Sequence, residues 1–309
     1  MDVKVTMDAS RLLDFDYLGL NKFEIYHNNN KGLHSNYNYS WSLPFEKLPD
    51  HVAITHLFQR YWYLTILLSV IYYTNIRIVQ AWMRKRKPFE LSRELFYWNL
   101  GLAIFSFVAL IRVSEDFFYT WRSFGFTYTL CRTCNPAGVA GFWSLAFGLS
   151  KVVELGDTLF IVLRKRPLIF LHYYHHAAVM IYGSHTAAEH AAPGQAFCIM
   201  NLFAHSVMYS YYAYTSLGKR TARWVSMIVT TIQTTQMLCG VAITFYVFYL
   251  KLMYPQIPCQ QSFANIWLAF ILYITFAILF VQFFVNAYIT NTHHQRKLRE
   301  MAEAEKKVE

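Results

Sequence analysis

Cysteine is scarce in this chain. Five residues in 309 are too few for the disulfide framework of a small secreted domain. The first twenty residues lack an uninterrupted apolar run, being broken by Asp2, Asp8, Asp14 and Asp16. No cleavable signal peptide is therefore expected, and the first membrane segment serves as its own insertion signal. Charge is also thin, at 15% of residues, yet Lys and Arg outnumber Asp and Glu by 28 to 18 for a formal charge of +10. The basic residues are bunched into short runs between apolar stretches, a pattern of membrane topology and of anionic ligands at one face rather than of nucleic-acid binding.

What the chain has in quantity is apolar surface: 55% of residues, with a mean hydropathy of +0.23. A soluble domain of this size rarely averages out hydrophobic, so the expected class is an all-α polytopic membrane protein. Crossing a bilayer takes about 20 mainly apolar helical residues. Seven such stretches are expected, at 61–82, 95–114, 139–162, 168–185, 195–215, 224–248 and 264–288. The fourth is short and carries three histidines, which argues against a clean crossing. Basic clusters follow the first, third, fifth and seventh stretches: Arg84-Lys85-Arg86-Lys87, Arg164-Lys165-Arg166, Lys219-Arg220 with Arg223, and Arg296, Lys297 and Arg299. The alternate loops are poor in them, so the N-terminus is expected in the lumen and the C-terminus in the cytosol. The organisation is then a loosely structured lumenal segment 1–57, a seven-helix membrane domain 58–290 and a cytosolic tail 291–309.

Three short features agree with that orientation. Asn38-Tyr39-Ser40 is the single N-x-S/T sequon, and it falls on the lumenal side where Asn38 is open to glycosylation. Cys131, Cys134 and Cys259 fall in lumenal loops, where an oxidising compartment permits pairing. Cys131–Cys259 is the preferred bridge, with Cys134 as the competitor. The chain ends Lys306-Lys307-Val308-Glu309, similar to a dilysine retrieval signal for the endoplasmic reticulum, with a solvated charged tail as the alternative.

Polar residues interrupt the apolar stretches in four places. His172, His175 and His176 stand at i, i+3 and i+4, on one helix face. Asn201 and His205 repeat the i, i+4 spacing in the next stretch. Lys151, Glu154 and Asp157 occupy i, i+3 and i+6, and Gln233 and Gln236 occupy i and i+3. Polar and ionisable groups in lipid are costly and mark functional sites. The competing reading is helix–helix hydrogen bonding, or, for Lys151, Glu154 and Asp157, a salt-bridge cluster holding the bundle. Tyr209, Tyr212 and Gln236 are the residues of these groups that packing alone explains best. Each group lies on a different helix, so a bundle facing them inward would enclose a polar reaction chamber.

Two chemistries fit clustered imidazoles. Metal ligation is one. Against it, no second clustered His motif is present, and His185 and His190 lie at the opposite end of their helix. Acyl transfer is the other: a neutral imidazole is a competent nucleophile and general acid/base, and Asn and Gln side chains can donate to a developing oxyanion.

Lys151-x-x-Glu154-x-x-Asp157-Thr158, His172-x-x-His175-His176, Asn201-x-x-x-His205-x-x-Met208-Tyr209-x-Tyr211-Tyr212 and Thr230-x-x-Gln233-x-x-Gln236 together closely resemble the ELO family of very-long-chain fatty acid elongases. The likeness runs from about Phe96 to the C-terminal tail, and the first 57 residues, longer than the resemblance leads one to expect, lie outside it. The resemblance implies a 3-ketoacyl-CoA synthase of the endoplasmic reticulum membrane. Such an enzyme condenses acyl-CoA with malonyl-CoA, releasing carbon dioxide and CoA, and uses no metal or other cofactor. Seven transmembrane helices are implied, six of them around a closed-ended tunnel open to the cytosol. It further implies His172 as a nucleophile forming an acyl-histidine and His205 as acid/base. His175 and His176 would orient the site, and Asn201 and Gln233 would bind thioester or enolate oxygens. Lys151, Glu154, Asp157, Arg164, Lys165, Arg166, Tyr209, Tyr212 and Gln236 are implied on the substrate side, the basic run meeting CoA phosphates. Tyr174 directly before His175 is similar to the branch acting on saturated and monounsaturated chains. Other enzymes of the elongation cycle and a second copy of the chain are the protein partners this leaves open.

Two rivals share parts of this pattern. A seven-helix receptor has the same topology but not the ionisable cluster at the cytosolic side. A His-box metal-dependent membrane oxidase or desaturase shares the histidines but not their number.

Overall fold

The computed structural model describes residues 19–21, 23, 34–48 and 50–290; Lys306, Lys307 and the basic cluster at 296–299 lie outside them. Among the described residues there are ten α-helices and no strand. They are α1 (His51–Tyr61), α2 (Leu64–Met83), α3 (Ser92–Phe124), α4 (Phe126–Cys131), α5 (Val139–Val153), α6 (Gly156–Leu163), α7 (Phe170–Glu189), α8 (Gly194–Ser216), α9 (Arg223–Met253) and α10 (Phe263–Phe284). A π-helical turn, Val285–Thr290, extends the last.

By length and composition α2, α3, α9 and α10 with its extension can each cross a membrane. Their outer faces carry large apolar side chains such as Ile78, Phe107, Phe245 and Ile271, as lipid contact requires. Helices α7 and α8 fall short of that apolarity because they carry His172, His175, His176, Asn201 and His205.

Contacts between neighbours close a circuit: α3 packs on α5, α5 on α7, α7 on α10, α10 on α9, α9 on α8 and α8 back on α3. Helix α2 lies outside it against α6 and α7, where Tyr72, Ile76 and Met83 bury with Val162. Glycine permits the closest approaches. A Cβ on Gly240 would lie 2.2 Å from the ring of Tyr273, locking α9 on α10, and one on Gly156 would lie 2.6 Å from Trp98.

The two ends of the bundle differ. One is closed covalently by Cys131–Cys259, 128 residues apart in sequence, with Cys134 buried and free. Gln260 N–H donates to Cys131 O at 3.2 Å and Ala192 N–H to Gln260 O at 2.7 Å. Ser262 donates from both its N–H and its hydroxyl to the buried Glu189 carboxylate. The other end carries the basic clusters, and there Phe89 N–H donates to Leu163 O at 3.0 Å.

Two expectations need correction. The stretch 139–162 is not one helix: it breaks at Glu154–Leu155 into α5 and α6, and Asp157 N–H bonds Glu154 O, three residues back, at 3.0 Å. That tight turn lets Gly156 sit against Trp98. Nor is the segment before residue 58 loose throughout. Residues 34–48 lie along the disulfide end of α3 as a strap: Ser35 donates to Asp116 at 2.5 Å, Tyr37 to Glu115 at 2.6 Å and Tyr39 to Arg112 O at 2.7 Å. The strap is anchored by buried Glu46, which takes Arg112 as a bidentate partner at 2.8 and 2.8 Å and the Trp143 indole at 2.7 Å. Asn38, on the strap, is exposed.

Candidate active site

Helix α7 has no polar capping side chain at its N-terminus, and its first turns present the three imidazoles inward. The rings of His172 and His176 are 4.5 Å apart and those of His175 and His176 5.5 Å. His175 also packs on Phe276 of α10 at 4.9 Å. The Nε2 atom of His172 lies 2.9 Å from the hydroxyl of Thr158 on α6, which lies 2.6 Å from the hydroxyl of Tyr72 on α2. Three helices thereby fix one imidazole.

The second element is a buried charge cluster. Lys151 Nζ donates to both oxygens of Glu154, at 2.8 and 3.0 Å, and to Asn201 Oδ1 at 2.8 Å. Ser150 adds a hydroxyl to Glu154 at 2.9 Å, and His205 Nδ1 stands 3.7 Å from the same carboxylate. All five residues are buried. A buried charge is tolerated when paired and hydrogen-bonded, and here the pairing also directs the Asn201 amide nitrogen away from Lys151. Asp157 is held separately: Trp98 donates to Oδ1 at 2.6 Å and Tyr209 to Oδ2 at 2.7 Å.

A cavity of about 480 Å³ joins these groups. His172, His175, His176, Asn201, His205, Asp157, Tyr209, Tyr212, Gln233 and Gln236 line it, with Arg164 and Arg166 at the basic end. Gln233 also donates to Met208 Sδ at 3.0 Å. Three expected substrate-side residues do not line this cavity. Lys151 faces a second cavity beyond it, Glu154 is enclosed by its partners, and exposed Lys165 turns back to donate to Arg84 O at 3.3 Å. Lys165 sits at φ 51°, in the left-handed region just past the end of α6.

Asn99 is, with Thr215 and Ser216, a polar lining residue that escaped the sequence reading. Asn99 of α3 is 3% exposed, borders the cavity beside Asp157 and Leu95, and its Nδ2 has no hydrogen-bond partner. A single Asn within an apolar run, next to Trp98, was the available signal. Among the described residues no group of three or more His, Cys, Asp or Glu converges to hold a metal ion.

Comparison with known proteins agrees with the motifs. The GNS1/SUR4 (ELO) family profile matches residues 57–296. A Caenorhabditis elegans protein provisionally named fatty acid elongase 4 is 54% identical over 278 residues, covering 90% of this chain and 95% of the relative. The very long chain fatty acid elongase 6 of Drosophila melanogaster is 38% identical over 272 residues, 86% of this chain and 84% of the relative. Its Homo sapiens namesake is 38% identical over 246 residues, 79% of this chain and 92% of the relative. With the family profile spanning residues 57–296 and all four polar motifs inside it, the chain belongs to the GNS1/SUR4 (ELO) family of fatty acid elongases and is an acyltransferase.

Proposed function

We propose that the protein condenses a saturated or monounsaturated long-chain acyl-CoA with malonyl-CoA to give 3-ketoacyl-CoA, carbon dioxide and CoA. The observation that carries this reading is the convergence of His172, His175 and His176 with Asn201, His205 and Gln233 on one cavity. The chain type rests on the Tyr174–His175 pair, and the long-chain reading on the likeness to relatives named very long chain fatty acid elongase 6. Seven helical passes, with six of them around the substrate tunnel, are the matching architecture, and the circuit from α3 through α8 supports it.

In this mechanism a ring nitrogen of His172 attacks the thioester carbon of the primer, and the C–S bond breaks to release CoA. Malonyl-CoA enters next. Loss of carbon dioxide leaves an enolate, whose carbon attacks the acyl-imidazole and returns His172 to its starting state. For attack, His172 must keep a lone pair free. That holds when its Nε2–H donates to Thr158 and Thr158 in turn to Tyr72, leaving Nδ1 as the nucleophile. Asn201 and Gln233 donate to the developing oxyanion or enolate oxygen, His205 steers the proton balance beside Glu154, and Arg164 and Arg166 meet CoA phosphates. No metal is used. Location in the endoplasmic reticulum membrane with the disulfide end lumenal is part of this reading, the loop charges supporting the orientation, and Asn38 is then an acceptor for glycan.

The test is microsomal incorporation of labelled malonyl-CoA with a panel of acyl-CoA primers. Two-carbon-longer products from saturated primers, abolished in His172→Ala, are expected. Absence of malonyl incorporation with every primer would overturn the reading.

A further inference from the structure

Beyond His175, Asn201, Gln236 and Met237, which border both cavities, a narrower one of about 180 Å³ continues toward the disulfide end. Its walls include Val179, Tyr182, Phe197 and Leu272. On the 1.5 Å rise of a helix, α7 covers about 18 Å between His175 and Ala187, both of which line this cavity. A hydrocarbon core of about 30 Å is two acyl chains deep, or ~15 Å for each, so this depth suits one long acyl chain and ends.

It ends on α1. His51, Ile54, Thr55 and Phe58 all line the narrow cavity. Their spacing of i, i+3, i+4 and i+7 puts them on one helix face, while Leu57 on another face is 58% exposed. The helix is capped at its start and tied to the far end of α7 at two points. The Asp50 carboxylate accepts Ala53 N–H at 2.8 Å, and Gln59 donates to Ala188 O at 3.1 Å. The Thr55 hydroxyl donates to His51 O at 2.8 Å and lies 2.7 Å from His190 Nε2. His190 itself is held at φ 53° just past α7. The family match begins at residue 57, so His51, Ile54 and Thr55 precede it.

We propose that α1 is the floor of the acyl channel, and that Ile54 and Phe58 meet the terminal methyl of the chain and fix the length at which elongation stops. This rests on the condensing reading of the site above. A methylene gains burial only while the channel has room; at the floor the next two-carbon unit loses that gain.

The experiment compares product ladders of the full-length protein in microsomes, with labelled malonyl-CoA and saturated primers of graded length. In Ile54→Ala and Phe58→Ala, the ratio of the first product beyond the wild-type limit to the limiting product rises about tenfold, the scale of two further buried methylenes. Ile54→Trp moves the limit to a shorter chain, and Leu57→Ala leaves it in place. Elongation of primers far below the limit is unchanged. An unaltered ladder in the three floor variants overturns the proposal. Where an alanine variant does not fold, Ile54→Val must shift the ladder part-way in the same direction, and its failure to do so counts equally against the floor. A wild type that condenses nothing defeats the condensing reading alone. The floor is then tested by native mass spectrometry of the purified protein loaded with acyl-CoA of graded length, where a shifted length cut-off in Ile54→Ala supports it and an identical one overturns it.

Discussion

The hydroxyl of Thr158 stands 2.9 Å from Nε2 of His172 and 2.6 Å from the hydroxyl of Tyr72, so the imidazole is oriented by a relay that starts on another helix. Removing the Thr158 hydroxyl in Thr158→Val keeps the volume and deletes the hydrogen bond. A bond of this kind is worth about 1 kcal/mol or somewhat more, which corresponds to a roughly tenfold fall in the rate of acyl transfer. Thr158→Ser should restore most of it. Single-turnover acyl transfer from labelled acyl-CoA, measured without malonyl-CoA, checks both variants; equal rates in wild type and Thr158→Val would remove the relay from the mechanism.

Lys151 and Glu154 are 4% and 3% exposed and share a bidentate contact. Removing one member leaves the other charged and unpaired, at a cost of about 3–5 kcal/mol. Lys151→Met and Glu154→Gln should each lower the thermal unfolding temperature of the detergent-purified protein. The double variant should lose much less than the sum, because no orphan charge remains. Additive losses would mean that the two residues act independently.

How far the sequence reveals such pairs depends on separation along the chain. Periodicity placed three imidazoles on one face of α7, and loop charge separated the two ends of the bundle. Spacing alone also grouped Lys151, Glu154 and Asp157, but the break at Glu154–Leu155 separates them: Glu154 turns to Lys151 while Asp157 turns to Trp98 and Tyr209. The break brings Gly156 against Trp98, 58 residues earlier in the chain, a contact no local pattern announces. Arg112 and Glu46 are 66 residues apart, and nothing local in an apolar stretch marks the arginine as paired with a strap. Local pattern specifies faces; long-range partners are settled only by packing.

The strap supplies a pH-dependent prediction. Burial by itself would push the Glu46 carboxyl up, but Arg112, Trp143 and the Leu43 N–H outweigh it and bring the value down to about 2 from an ordinary 4.5. A carboxylate with a depressed folded value stabilises the fold fully above about pH 4.5, and that contribution disappears as pH falls toward 2. Protease access to residues 34–48 should therefore rise across that acidic window, and Glu46→Gln should show raised access already at neutral pH. A flat acid profile in the wild type would show that Glu46 does not anchor the strap.

Cys131–Cys259 ties α4 to the segment after α9 across 128 residues. In the loop-entropy account a closure of that length is worth about 4–5 kcal/mol. Cys131→Ser, Cys259→Ser and the double variant should be destabilised alike, since each removes the same bond. Thermal unfolding in detergent, with and without reductant, tests this; a further loss on reduction of the double variant would indicate another bridge, with Cys134 as the residue to examine.

Asn99 gives a prediction in which stability and activity part company. Its Nδ2 is buried without a partner while the side chain borders the cavity. An unsatisfied buried donor costs roughly 1–3 kcal/mol. Asn99→Leu, of similar size, removes that cost, so the variant should unfold at the same or a higher temperature than wild type. If the amide serves the substrate, condensation should nonetheless fall, because an acceptor oxygen of the bound acyl or malonyl thioester then loses its donor inside an apolar wall. Asn99→Ser, which keeps a donor, should lose less activity than Asn99→Leu. A stabilised Asn99→Leu with undiminished condensation would make Asn99 a packing residue, whereas stabilisation with lost activity is the pattern of a polar group retained for the ligand it meets.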